Sequence, residues 1–267
     1  MRSLIRPPAV AGTFYPQDAA VLTGALRLLI HSARPTQSYA PVPKAIVAPH
    51  AGYLYSGPVA ASAYARLATA RGLVQRAVIL GPAHTVPLEN IAASSADAFS
   101  TPLGALDVDS VLRDAAIADR LVSVCDLAHT AEHSLEVQLP FIQSVLGVVK
   151  VLPLLVGAVP TSAVAELLDR VWGGPETLVV VSTDLSHYHD LETARRLDKR
   201  TAAAIMACNP EGIAPGDACG VYSLRGLLAV AAKRGLEVEQ LDLRTSADTT
   251  GDPTRVVGYG SFALFSV

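Results

Sequence analysis

Short runs of Val, Ile and Leu, continuous rather than alternating, recur along the chain at Ala45–Ala48 (AIVA), Ala77–Leu80 (AVIL), Val149–Val156 (VKVLPLLV) and Leu178–Ser182 (LVVVS). Such runs read as strands buried on both faces, the pattern of a covered, largely parallel sheet. Val256–Leu264 (VVGYGSFAL) predicts a further strand, interrupted by Gly258 and Gly260. Helical segments lie between these runs. Asp18–Ser32 carries Leu22, Leu26, Leu29 and Ile30 at helical spacing, and Ser56–Thr69 is Ala-rich with Gly57–Pro58 at its start. Leu106–Ala118, starting at Asp107 or Asp109, is followed by Glu132–Leu146, Thr161–Trp172, Thr193–Ala207 and Val221–Arg234. Strands alternating with helices predict an α/β fold, here a layered α/β/α sandwich around a largely parallel or mixed sheet. No internal repeat, low-complexity tract or linker divides the chain, so residues 1–267 are expected to form a single domain. Ser32–Pro43 reads as a surface loop.

Composition narrows the function classes. With 267 residues, the chain can bury a large core. Only 17% of residues are charged, the formal net charge is -3, and no block of like charge appears. That gives no reason to expect nucleic acid or an anionic membrane surface as partner. No apolar run approaches the ~20 residues of a membrane-spanning helix. Met1–Gly12 is broken by Pro7–Pro8 and does not resemble a signal peptide. Cys125, Cys208 and Cys219 are widely spaced and form no C-x-x-C pair, which fits a reducing compartment and a cytoplasmic location.

Three of the expected strands end in a polar cluster containing histidine. Ala45–Ala48 runs into Pro49-His50-Ala51-Gly52-Tyr53, Ala77–Leu80 into Gly81-Pro82-Ala83-His84, and Leu178–Ser182 into Thr183-Asp184-Leu185-Ser186-His187-Tyr188. Ligands of open α/β sheets bind beyond the carboxyl ends of the strands. If these strands are parallel neighbours, His50, His84, Asp184 and His187 converge there. Imidazole binds Zn, Fe and Cu, and a carboxylate or thiolate can complete such a site. His50 and His84 follow tight Gly or Pro turns and are the leading metal ligands. The third ligand stays open between Asp184, giving two histidines and a carboxylate, and Cys219 in Gly216-Asp217-Ala218-Cys219-Gly220, giving a softer site. A second cluster is Glu132-His133-Ser134-Leu135-Glu136. On a helix, His133 and Glu136 share a face and would form a His–carboxylate pair able to move protons or orient a ligand; acidic residues that merely favour a helix N-terminus explain the same spacing. No G-x-G-x-x-G follows the first strand, and G-x-x-x-x-G-K-[ST], H-E-x-x-H and G-x-S-x-G are absent.

Beyond these clusters, Arg6-x-Pro8-Ala-Val-Ala-Gly-x-Phe14-Tyr15-Pro16, Ala48-Pro-His50-Ala-Gly-Tyr53 with Tyr55-Ser-Gly57, Leu80-Gly-Pro-x-His84, Thr101-Pro-Leu-Gly104, Glu132-His-Ser-Leu-Glu-Val-Gln-Leu-Pro140, Ser182-x-Asp-Leu-Ser-His187 and Ala218-Cys-Gly220 occur in collinear order. From about residue 6 onward the sequence resembles the MEMO family, whose prokaryotic members are also called AmmeMemoRadiSam system protein B. The resemblance implies a fold shared with class III extradiol (LigB-like) dioxygenases, which hold a non-haem Fe(II) with two histidines and a glutamate. It assigns His50, His84 and Cys219 to the metal positions, and Asp184 and His187 to the remaining polar pocket. The glutamate ligand of the dioxygenases is missing, which argues against ring cleavage. It also points to Fe(II) as the metal, with Cu or Zn as alternatives, and the first reading is a metal-dependent redox enzyme in which His187 acts as acid or base or donates a hydrogen bond, Asp184 orients it or binds the metal directly, and His133 with Glu136 relays protons. A rival reading is a non-catalytic module that binds a small molecule or peptide beside Tyr53 and Tyr55 and acts with radical-SAM and AMMECR1-like partners. A third is a metal-free hydrolase with Cys219 as nucleophile and His187 as base.

Overall fold

The computed structural model describes residues 4–33 and 41–266. Most of the expected Ser32–Pro43 loop therefore lies outside the described residues. In chain order the strands are β1 (Ile5–Arg6), β2 (Ala45–Ala48), β3 (Arg76–Pro82), β4 (Ile91–Ala93), β5 (Ala98–Thr101) and β6 (Gly104–Asp107). They continue with β7 (Ser123–Val124), β8 (Lys150–Val156), β9 (Thr177–Ser182), β10 (His187–His189), β11 (Glu237–Thr245) and β12 (Val256–Phe265). The helices are α1 (Ala19–Ser32), α2 (Tyr53–Ala65), α3 (Ser110–Ala118), α4 (Asp126–Thr130), α5 (Leu139–Leu146), α6 (Thr161–Val171), α7 (Leu191–Met206), α8 (Val221–Arg234) and α9 (Ala247–Thr250).

Among the described residues, a 9-stranded mixed sheet runs in the order β10-β12-β2-β9-β3-β8-β4-β7, with β11 also paired to β12. Its centre, β2-β9-β3-β8, is parallel, as the continuous apolar runs predicted, and β12 and β4 flank it antiparallel. Alternation of side chains divides the core into two layers. Ile46, Ile79, Val180 and Leu155 face one side with α1, α2 and α5; Val47, Val78, Val181 and Leu154 face the other with α6 and α8. Each fully buried Leu, Ile or Val contributes roughly 1.5–3 kcal/mol. The fold is thus the expected α/β sandwich, with helices on both faces of a mostly parallel sheet. A smaller 3-stranded sheet, β1-β5-β6, abuts it, with Val108 just after β6 bridging Val151 of β8.

Local chemistry accounts for the boundaries that differ from the sequence reading. Helix α2 starts a turn early, at Tyr53, because the Gly52 turn delivers the Tyr53 N–H to the Phe14 carbonyl at 2.8 Å. Pro58 is tolerated inside it because the N–H it lacks would serve the carbonyl of exposed Leu54 near the helix start. Helix α3 begins one residue beyond Asp109, whose carboxylate caps the Leu112 N–H at 3.1 Å. The expected helix Glu132–Leu146 loses its first turn. The Glu132 carboxylate accepts the N–H groups of His133 and Ser134, each at 2.9 Å, and bends that segment into a turn before a short 3-10 stretch at Glu136–Gln138.

Candidate metal centre

Strands β2, β9 and β3 are adjacent and parallel, with Ala48 opposite Ser182 and Leu80 opposite Val181. Their carboxyl ends therefore deliver His50, Asp184 and His84 to one crevice, the convergence expected from the sequence. His50 and His84 ring centroids lie 5.2 Å apart. The turn before α5 adds His133, whose ring stacks on His84 at 4.6 Å and meets His50 edge-on at 5.4 Å. One ring nitrogen from each of His50, His84 and His133 lies within 4.8 Å of the other two, a set able to hold a metal ion.

The protonation chemistry suits that role. His50 is only 2% exposed, and burial, then the neighbouring His84 and His133, holds its pKa well below the ordinary value, so the ring is neutral. Burial likewise lowers His133. The Nδ1 of His84 lies 2.9 Å, and that of His133 3.3 Å, from Glu132 Oε1. A carboxylate only accepts, so His84 Nδ1 carries a proton toward Glu132. Burial would raise the Glu132 pKa, but hydrogen bonds from His84 and Ser134 outweigh it and hold it at about 2. A carboxylate thus backs the His84 and His133 rings, the kind of partner that orients histidines in metal sites.

The other sequence candidates take specific places. Cys219 abuts the cluster, its Sγ 3.2 Å from His50 Nε2, but it falls outside the set of mutually close donors, where His133 stands instead. Burial, then Asp184, pushes its thiol up to about 12. The Asp184 carboxylate does not bond to His187. It accepts the backbone N–H of His50 at 2.8 Å and also that of Ala51, so it fixes the turn that aims His50. Burial lifts Asp184 to about 7 against these bonds. His187 opens β10 at the border of the site, and burial lowers its pKa, the reverse of the shift expected from pairing with Asp184. Glu136 does not pair with His133. Its fully buried carboxylate meets Arg6, and it accepts from Tyr15 Oη at 2.6 Å, Ala9 N at 2.8 Å and Val10 N at 3.0 Å. It anchors the amino-terminal segment, and this satisfied carboxylate has no lone pair turned to the cluster for a proton relay.

Sequence reasoning missed Glu132 as the group that orients His84 and stands beside His133, although Glu132 directly precedes His133. Ser182 was also missed. It ends β9 with its hydroxyl 2.9 Å from His50 Nδ1, and an apolar strand with one terminal serine gives little local signal. An apolar groove of about 550 Å³ runs beside the site, lined by Phe14, Leu28, Tyr53 and Leu54, and Phe14 also packs on His133 at 4.6 Å.

MEMO1 family proteins of Aquifex aeolicus and Methanopyrus kandleri are 35% and 36% identical to the chain, covering 96% and 97% of it and 97% and 98% of their own lengths. One from Methanothermobacter thermautotrophicus is 32% identical, over 96% of this chain and 99% of its own. The pattern of the Memo-like protein family matches residues 6–263, a span that includes β1 and its buried Arg6 anchor as well as every histidine of the cluster. With the match running from the amino-terminal anchor nearly to the end of β12, the chain belongs to the Memo-like protein family.

Proposed function

We propose that the chain is a metal-binding redox protein whose centre is held by His50, His84 and His133, with Cys219 at its edge as a further donor. The observation that carries this reading is the convergence of three imidazoles within 4.8 Å, with Glu132 and Ser182 behind them. Fe(II) is the favoured metal and Cu or Zn the alternatives. Three imidazoles and a nearby thiol accept each of them, whereas Mg and Ca prefer oxygen ligands. A metal bound here would supply Lewis acidity and, if iron or copper, one-electron chemistry. Glu132 fixes the His84 ring and stands beside His133, Asp184 fixes the His50 turn, and His187 stands at the border as a hydrogen-bond partner for a substrate. The carboxylate nearest the rings backs them from behind rather than joining the donor set, which argues against catechol cleavage as the reaction.

Anaerobic purification followed by metal analysis tests the proposal. Stoichiometric iron or copper, lost in His50→Ala, supports it; a metal-free protein with no affinity for added Fe(II), Cu or Zn(II) rejects it. The apolar groove next to Phe14 favours a second reading, in which the same crevice binds a small molecule or peptide without chemistry. Radical-SAM and AMMECR1-like proteins would then be the partners to test for association.

A further inference from the structure

Behind His50 lies a buried chain of polar groups whose hydrogen-bond directions can be worked out from their partners. Tyr64, Ser134, Gln138 and Ser182 are each at most 1% exposed. Gln138 Nε2 lies 3.0 Å from the Pro49 carbonyl, which can only accept. The amide must therefore turn its NH₂ toward Pro49. Its oxygen then accepts from Tyr64 Oη at 2.9 Å, and the second N–H of Nε2 goes to Ser182 Oγ at 2.8 Å. Ser182 Oγ also lies 2.6 Å from the Ser134 carbonyl, another pure acceptor, so the single hydroxyl proton goes there. What remains on Ser182 Oγ is a lone pair. His50 Nδ1, 2.9 Å away, can only donate to it.

From this we infer that Ser182, held by Gln138, is a positioning residue that locks His50 in the Nδ1–H tautomer and keeps its Nε2 lone pair aimed at the metal centre. The inference deepens the proposed function and rests on it for its purpose, but the tautomer follows from the hydrogen bonds alone. His50 has no carboxylate behind it as His84 and His133 do. A neutral hydroxyl achieves the same orientation because every other partner of that hydroxyl is already fixed. Reversing one direction would leave two acceptors facing each other in a dry interior, a penalty of the same order as an unsatisfied buried polar group.

The test is nitrogen-15 NMR of histidine-labelled, metal-free protein, with Zn(II) as the diamagnetic metal probe. The expected spectrum of the wild type shows His50 with a protonated Nδ1 and an unprotonated Nε2. Ser182→Ala should release the ring to a mixture of tautomers and weaken Zn(II) binding by roughly 10–100-fold, leaving the His84 and His133 resonances in place. Ser182→Thr, which keeps the hydroxyl, should restore both. Protonated Nε2 in wild-type His50 overturns the inference without any variant, and so does an unchanged His50 tautomer in folded Ser182→Ala. Wild type with protonated Nδ1 that fails to bind Zn(II), Fe(II) or Cu would reject the metal reading and leave the tautomer assignment standing.

Discussion

Glu132 stands directly behind His84, with Oε1 2.9 Å from the ring Nδ1 and Oε2 accepting the His84 backbone N–H. The same Oε1 lies 3.3 Å from His133 Nδ1, so one carboxylate orients the first ring and stands close to the second. Glu132→Gln keeps the volume but replaces one acceptor oxygen with an NH₂ group, which faces an N–H and cannot serve it. The expected result is a folded protein whose Zn(II) or Fe(II) affinity falls by roughly 10–100-fold. Calorimetric titration with melting curves on the same samples checks this, and full affinity in Glu132→Gln would remove Glu132 from the site.

The identity of the third donor can be settled with paired variants. His50→Ala, His84→Ala and His133→Ala should each lose most of the bound metal, while His31→Ala, in exposed sequence on α1, keeps it. Cys219→Ser should retain the metal stoichiometry because three nitrogens remain. Metal analysis after gel filtration reads all five. Retention in His133→Ala together with loss in Cys219→Ser would put the thiolate, not the third imidazole, in the donor set.

Much of this centre was legible in the sequence because periodicity reports burial. The runs AIVA, AVIL and LVVVS are apolar at every position since both faces of β2, β3 and β9 are covered, and the residue type after each run then marks the crevice. Strand β11 went unread for the opposite reason. Glu237, Glu239, Asp242 and Arg244 leave no continuous apolar run in this margin strand, and a bulge between Gln240 and Asp242 breaks the alternation. The pairing of His133 with Glu136 failed because helical spacing was assumed where Glu132 had already bent the backbone into a turn. The Asp184–His187 pair failed similarly. Three-residue spacing brings two side chains near each other, but the Asp184 carboxylate found two backbone donors in the neighbouring strand's turn.

His129 provides a pH-dependent test of the scaffold. It is buried, its Nε2 lies 3.1 Å from the Ala92 carbonyl, and burial lowers its pKa from 6.5 to about 4 despite that bond, with Arg6 adding to the effect. Between those values the unfolded chain binds the proton and the folded chain does not. The stability contributed by neutral His129 is therefore complete above pH 6.5 and is lost as pH falls through about 4. The loss is about 3 kcal/mol at most. His129→Gln keeps a donor for Ala92 and removes the titration. Urea unfolding from pH 7 to pH 4 should give a shallower decline for the variant, and parallel declines would show that His129 is not responsible.

A last prediction concerns Asp198 and Gly258. Asp198, 2% exposed on α7, accepts the Ser186 N–H at 3.0 Å through Oδ1, while Oδ2 has no partner among the described residues and burial raises the pKa. A Cβ on Gly258 would stand 2.0 Å from that Oδ2, so the carboxyl fills the space a side chain on β12 would need. Gly258 also exchanges backbone bonds with the segment after β9, its N–H to the Ser186 carbonyl and its carbonyl to the Leu185 N–H, both at 2.8 Å. Gly258→Ala must therefore displace either the carboxyl or this backbone pairing, at a cost of roughly 1–3 kcal/mol. Asp198→Ala alone leaves the Ser186 N–H buried and unpaired, costing about 1–3 kcal/mol. In the double variant the added methyl meets no carboxyl, so its loss should approach that of Asp198→Ala alone, with a coupling of roughly 1–3 kcal/mol. Additive losses in urea unfolding would show that close approach of the carboxyl is not what requires glycine there. The double variant should also keep more metal affinity than Gly258→Ala, because the segment it leaves undistorted carries Asp184, whose carboxylate holds the His50 turn.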